Sequence, residues 1–136
     1  MPTPAQPDPL PQAPDLATRE AGQALLRTFI AIADAWRLTA AERMVLLGVR
    51  SRSTFHLWRE GKSGPLSADT LERLSYLFGI YKALQILLPA PEAADEWVRK
   101  PNAAPLFNGQ SALERMLSGH VADLYEVRRY LDAQRG

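Results

Sequence analysis

Residues 78–88, FGIYKALQILL, are apolar on nearly every side of the helix they would form. Such a helix must be covered on more than one face. In a chain of 136 residues the cover comes from the C-terminal helices, from a second subunit, or from both. A membrane is the rival, but Tyr81, Lys82 and Gln85 interrupt the run, which falls well short of the roughly 18 residues that span a bilayer. The run reads as the second half of one long helix, from an N-cap at Ser67 to about Leu88. Asp69 and Glu72 sit favourably near its positive end, and Leu71, Leu74, Leu77 and Phe78 form the stripe of its first half. Gly79 lies inside it at a cost of ~1 kcal/mol relative to alanine, which close approach of a neighbouring helix would explain.

Upstream, Leu25, Phe29, Ile32 and Trp36 recur at helical spacing, widened by Leu26, Ile30 and Ala33, so one amphipathic helix is expected over 16–38. Thr39 and Glu42 have capping-box spacing and open a short helix through Leu47, with Met44, Val45 and Leu47 available to the core. Gly48 ends it. The turn Gly48-Val49-Arg50-Ser51, with Val49 buried, leads to a helix over about 52–60. Two short helices across a tight glycine-containing turn make a helix-turn-helix pattern. In the second helix Phe55 and Trp58, with Leu57 helping, are expected to point inward, leaving Arg52, Ser53, His56 and Arg59 outward. Arginine pairs with guanine edges, serine and histidine with several edges, and flanking cations with phosphates. Residues 50–62 hold Arg50, Arg52, Arg59 and Lys62 against Glu60 alone. The candidate DNA contacts are therefore Arg50, Arg52, Ser53, His56, Arg59 and Lys62. The plainer reading is a solvated helix face, in a pattern kept for dimerisation alone.

Charge does not decide between these readings, because 16 basic residues nearly cancel 15 acidic ones. With no cysteine and two histidines, thiolate zinc sites and disulfides are excluded and no metal-ligand pair or cofactor is expected. No phosphate-cradling glycine loop appears, and no nucleophile sits beside a base. Asp95 and Glu96, adjacent on a helix, point apart. A non-enzyme is expected, soluble and cytoplasmic, since the N-terminal segment lacks the apolar core of a secretory signal. Residues 1–15 carry six of the 11 prolines. They are expected to form a solvated or polyproline arm, with a ligand for aromatic grooves as the alternative.

Pro89-Ala90-Pro91 reads as a hinge, followed by a short helix over 92–100 whose Trp97 and Val98 dock on the long helix. Pro101-Asn102 stops it. After a loop with Pro105 and Gly109, Ser111 and Glu114 have capping-box spacing, Ala112, Leu113, Met116 and Leu117 form an apolar side, and Gly119 suits the helix end. A last helix over 120–133 turns Val121, Leu124, Val127 and Leu131 inward and Tyr125, Arg128, Arg129 and Asp132 elsewhere. His120 reads as a polar residue at its start rather than a ligand.

The order and spacing of Trp97, Pro101-Asn102, Phe107, Gly109, Ala112-Leu113, Met116-Leu117 and Gly119, with residues 77–84 (LFGIYKAL) upstream, resemble the toxin-binding domain of the Xre/MbcA/ParS antitoxins. The resemblance covers residues 22–134 or thereabouts. It implies an all-α fold: an Xre-like helix-turn-helix domain joined through a long shared helix to a small helical toxin-binding domain. Domains are expected at 16–88, for the helix-turn-helix and dimerisation, and at 89–136, for toxin binding, after the arm at 1–15. Antitoxins of this kind bind RES toxins, which resemble ADP-ribosyltransferases and use NAD, and many repress their own operon as homodimers. The implied partners are thus a RES-type toxin, a second copy, and operator DNA. Trp97, Pro101, Asn102, Gly109, Leu113 and Gly119 look architectural. Helix geometry then puts the toxin contacts at Tyr125, Arg128, Arg129, Asp132, Arg135 and Gly136, where the last helix and chain end would cover the toxin's active-site cleft. A frayed charged terminus is the plainer reading of Arg135. A stand-alone helix-turn-helix regulator with a C-terminal dimerisation domain is the alternative for the whole chain. Removal of residues 120–136 is expected to restore toxicity without touching DNA binding.

Overall fold

The computed structural model describes residues 15–136; the arm expected at 1–15 lies, but for Asp15, outside the described residues. Seven helices follow in order: α1 Arg19–Ala35, α2 Ala40–Leu47, α3 Arg52–Arg59, α4 Ala68–Leu87, α5 Pro91–Trp97, α6 Ala112–Met116 and α7 Val121–Gln134. Among the described residues there is no strand, only an isolated antiparallel bridge between Pro101 and Ser111.

α4 is the axis. It packs on α1 and α2 towards the N-terminal half and on α5 and α7 towards the C-terminal half. This double cover is why its second half tolerates apolar residues all round. Leu74, Leu77, Ile80, Ala83 and Leu84 of α4 are buried, together with Leu26, Phe29, Ile32 and Trp36 on one side and Leu124, Val127 and Leu131 of α7 on the other. The neighbour expected at Gly79 is α7: a Cβ at Gly79 would overlap the Arg128 guanidinium. No described helix is long and apolar enough to cross a membrane.

The first three helices end alike. Each passes into a left-handed residue, Arg37 (φ 55°), Gly48 (φ 72°) and Gly61 (φ 77°). Paired backbone bonds close each end, for instance Leu38 N–H to Ala33 O at 2.9 Å and Val49 N–H to Met44 O at 2.9 Å. That is the Schellman arrangement, which satisfies carbonyls a helix end leaves open. It also shortens α1 relative to expectation. Thr18 caps the start by accepting from Ala21 N–H at 3.1 Å, and the chain turns off at Arg37, where no glycine advertises the turn. Both predicted capping boxes form, at Thr39/Glu42 and Ser111/Glu114, and Ser67 caps α4.

Three side chains differ from expectation. Val45 is 36% exposed and Leu46 takes its place in the core. Leu57 is 46% exposed, because α3 turns Phe55 inward with Trp58 half-buried, and Leu57 falls on the outer arc with Ser53. Val49 is half-buried rather than buried. In addition, α5 begins at Pro91, whose fixed φ suits a first helical position, and ends at Trp97, three residues earlier than expected.

Candidate functional site

The first candidate surface is the outer face of α3. Ser51 caps the helix, accepting from Thr54 N–H at 3.2 Å, and lies 3.0 Å from the Ser53 hydroxyl. Arg50, Arg52, Ser53, His56, Arg59 and Lys62 are all exposed. Their commitments differ. Arg59 lies back over the Phe55 ring, with Cζ 5.9 Å from its centroid. His56 Nε2 and Lys62 Nζ hold the two Glu60 oxygens at 3.1 and 3.3 Å. Arg50 and Arg52 take part in none of the ion pairs among the described residues. Exposed pairs such as those on Glu60 are worth little.

The second surface is the outer face of α7 where it meets α4. Tyr125, Arg128, Arg129 and Asp132 converge with Tyr76 of α4 on a concavity of about 240 Å³. The Tyr76 and Tyr125 rings meet edge to face at 5.7 Å. Tyr76 O–H donates to Glu72 at 3.2 Å. Partial burial, then the Glu72 carboxylate, push its phenol above the ordinary value. Sequence reasoning missed Tyr76; an α4 tyrosine one turn from Glu72 carries no signal until α7 is laid beside it.

Within that group Arg128 differs from its neighbours. It is half-buried, lies across Gly79, donates Nη1–H to the Ser75 carbonyl at 3.2 Å and faces Asp132 at 3.6 Å. It ties α7 to α4. Arg135 leans back to Asp132 at 3.8 Å; Gly136 is exposed beside it. Tyr125 and Arg129 are exposed, and Arg129 takes part in none of the ion pairs among the described residues.

Of the six motif residues, Trp97 packs against α7 and most of the others close the loop before it. Trp97 meets Phe107 edge to face at 5.8 Å and lies nearly parallel to Tyr130 at 6.5 Å; Phe107 and Tyr130 meet at 5.1 Å. Pro101 bridges to Ser111. Asn102 closes the loop between them, its Oδ1 accepting from Ala104 N–H at 2.8 Å and its carbonyl from Gly109 N–H at 2.8 Å. Gly109 and Gly119 take φ 85° and 88°. Leu113 is buried and its N–H reaches the Val98 carbonyl at 2.8 Å. Tyr130, the α7 member of the aromatic trio, was not visible from spacing.

Two arginines fasten the halves together. Arg99 gives three bonds of 2.8–3.0 Å to the Trp36 and Arg37 carbonyls at the end of α1. Arg73, its side chain only 12% exposed, pairs with Asp69 at 2.9 Å and donates to the Gly119 carbonyl at 3.0 Å and, more weakly, to Val45 O at 3.5 Å. One guanidinium thus touches the end of α2 and the residue before the N-cap of α7. Arg73→Ala should cost about 2 kcal/mol by stranding these acceptors, a fall of several degrees in Tm by calorimetry. A lysine offers no planar fork and should recover little of it; full recovery by Arg73→Lys would mean that only charge matters there.

Fold and surfaces define a helix-turn-helix protein with a second helical domain built on the same long helix. Comparison with known families agrees in both halves. The antitoxin Xre-like helix-turn-helix domain matches residues 15–79, and the antitoxin Xre/MbcA/ParS C-terminal toxin-binding domain matches residues 83–136. The chain belongs to the Xre/MbcA/ParS antitoxin family. It is also 53% identical over 111 residues to the uncharacterized protein y4oB of Sinorhizobium fredii (strain NBRC 101917 / NGR234), covering 82% of this chain and 84% of that one.

Proposed function

We propose that this antitoxin neutralises a RES-type, NAD-using toxin by laying the outer face of α7, with Arg135 and Gly136, across the toxin's active-site cleft. In this reading residues 89–136 bind toxin, and residues 16–88 dimerise and bind the operator through α3. The observation that carries it is the division of labour along α7. Leu124, Val127 and Leu131 are spent on the core and Arg128 on α4, whereas Tyr125 and Arg129 stand exposed on a helix within the matched toxin-binding domain. An exposed tyrosine beside an uncommitted guanidinium is the composition of an interface anchor, and a guanidinium suits a cleft shaped for phosphate or lined with carboxylates.

The test is NAD turnover by a purified RES toxin titrated with the full chain. Turnover should vanish at stoichiometric antitoxin. A stable complex that still consumes NAD at the free toxin's rate would refute cleft-covering, and absence of any complex, with DNA binding intact, would favour the stand-alone regulator.

For the DNA half, with Arg50, Arg52 and Arg59 of each protomer set on phosphates, a dimer makes six such contacts, so log K should fall with log salt at a slope of roughly −5. Arg52→Ala should weaken operator binding about tenfold and flatten that slope, by fluorescence anisotropy, without changing toxin neutralisation. An unchanged slope would remove Arg52 from the phosphate contacts.

A further inference from the structure

Between α2 and α3 runs a groove of about 610 Å³, within the size range of small-molecule sites. Its floor is apolar: Met44, Val45 and Phe55. Its rim is cationic: Arg50, Arg52 and Arg59. No carboxylate lines it. The nearby acids are engaged elsewhere, Glu42 accepting from Thr39 N–H at 2.8 Å in the α2 capping box and Glu60 held by His56 and Lys62. Val45 is the informative residue. Leu46 and Leu47 are the buried residues of its helix, and Val45 stands 36% exposed as an apolar side chain in the groove. Met44 beside it is half-buried and unbranched, able to adjust to an occupant.

A phosphate strand satisfies this rim and leaves the floor wet. A neutral apolar body satisfies the floor and leaves the arginines without a counter-charge. A molecule with an apolar body and one anionic head satisfies both. We propose that the α2–α3 groove is a binding site for an amphipathic organic anion, and that its occupant and DNA exclude each other because they require the same arginines. The second clause rests on the DNA half of the function proposed above; the first does not.

Anilinonaphthalene sulfonate serves as the probe, titrated into the full chain by fluorescence, with phenylnaphthylamine, the same rings without the sulfonate, in parallel. The sulfonate should bind at one saturable site, and the neutral compound at least about tenfold more weakly, because it lacks the charge-assisted bonds. Val45→Asp, at an exposed helix position, should keep the native Tm and cut sulfonate affinity at least about tenfold through lost apolar contact and like-charge repulsion. Val45→Leu should retain it. Equal binding of both probes, or indifference to Val45→Asp, overturns the site. In anisotropy with labelled operator DNA, the sulfonate should raise the apparent Kd for DNA and the neutral compound should not; simultaneous binding overturns the exclusion. A chain that binds the sulfonate as described but no DNA sinks the exclusion and the DNA half of the proposed function, and leaves the ligand site standing.

Discussion

Deletion of residues 120–136 will leave no cooperatively folded protein. The segment carries Leu124, Val127 and Leu131, all buried, and Tyr130, the third ring of the aromatic trio with Trp97 and Phe107. Each buried aliphatic side chain is worth about 1.5–3 kcal/mol, so these three alone supply about 5–9 kcal/mol. The whole stability of a domain this size is about 5–15 kcal/mol. Their removal also bares the side of α4 around Ser75, Tyr76 and Gly79, where Arg128 and Tyr125 lie. Thermal unfolding followed by circular dichroism should lose its sigmoidal transition, and DNA binding should go with it. A truncated chain that melts within a few degrees of the intact one would show α7 to be an appendage. The expectation that truncation separates the two activities therefore fails on packing: α7 is half of what covers α4.

Point substitutions on the outer face of α7 should separate them, on the function proposed above. Tyr125→Ala combined with Arg129→Glu should raise the Kd for a RES toxin at least about a hundredfold, near 2.7 kcal/mol, as expected when an aromatic anchor is lost and a charge reversed at the centre of an interface. Arg129 is exposed and Tyr125 gives up one edge-to-face contact with Tyr76, worth about 0.5–1.5 kcal/mol, so Tm should fall by a few degrees at most, and operator binding should be unchanged. Co-expressed cells should lose protection against toxin. Arg128→Ala should do the reverse, lowering Tm through the α4–α7 seam and reducing neutralisation only in proportion. Full protection by the double variant at native expression would place the toxin contact elsewhere.

The sequence revealed helix starts better than helix ends and side-chain partners. Caps at Thr39, Ser67 and Ser111 are local chemistry, written within four residues, and each forms as read. The end of α1 is not local in that sense. Arg37 adopts the left-handed turn a glycine would have announced, because Leu38 N–H must close on Ala33 and Arg99 arrives from 62 residues away to take the Arg37 carbonyl. Leu57 was misplaced because α3 is short: at two turns, a one-position error in the inward direction exchanges a core residue for an exposed one. On α7 periodicity separated core from surface, but it could not distinguish Arg128, laid over Gly79, from Arg129, one residue on and uncommitted. Gly79 hinted at close approach without naming the side chain that approaches. Tyr76 and Tyr130 entered the sites only when three-dimensional neighbours were known.

The Arg99 fastening bears on how such proteins can be recombined. Its guanidinium closes the carbonyl terminus of a helix in the other domain, so neither half ends at the boundary where the two family matches part. A chimera whose back half came from a relative with no arginine at that place would leave the Trp36 and Arg37 carbonyls without their donor. On the function proposed above, exchange of toxin specificity between relatives should be easier by resurfacing α7 than by swapping domains.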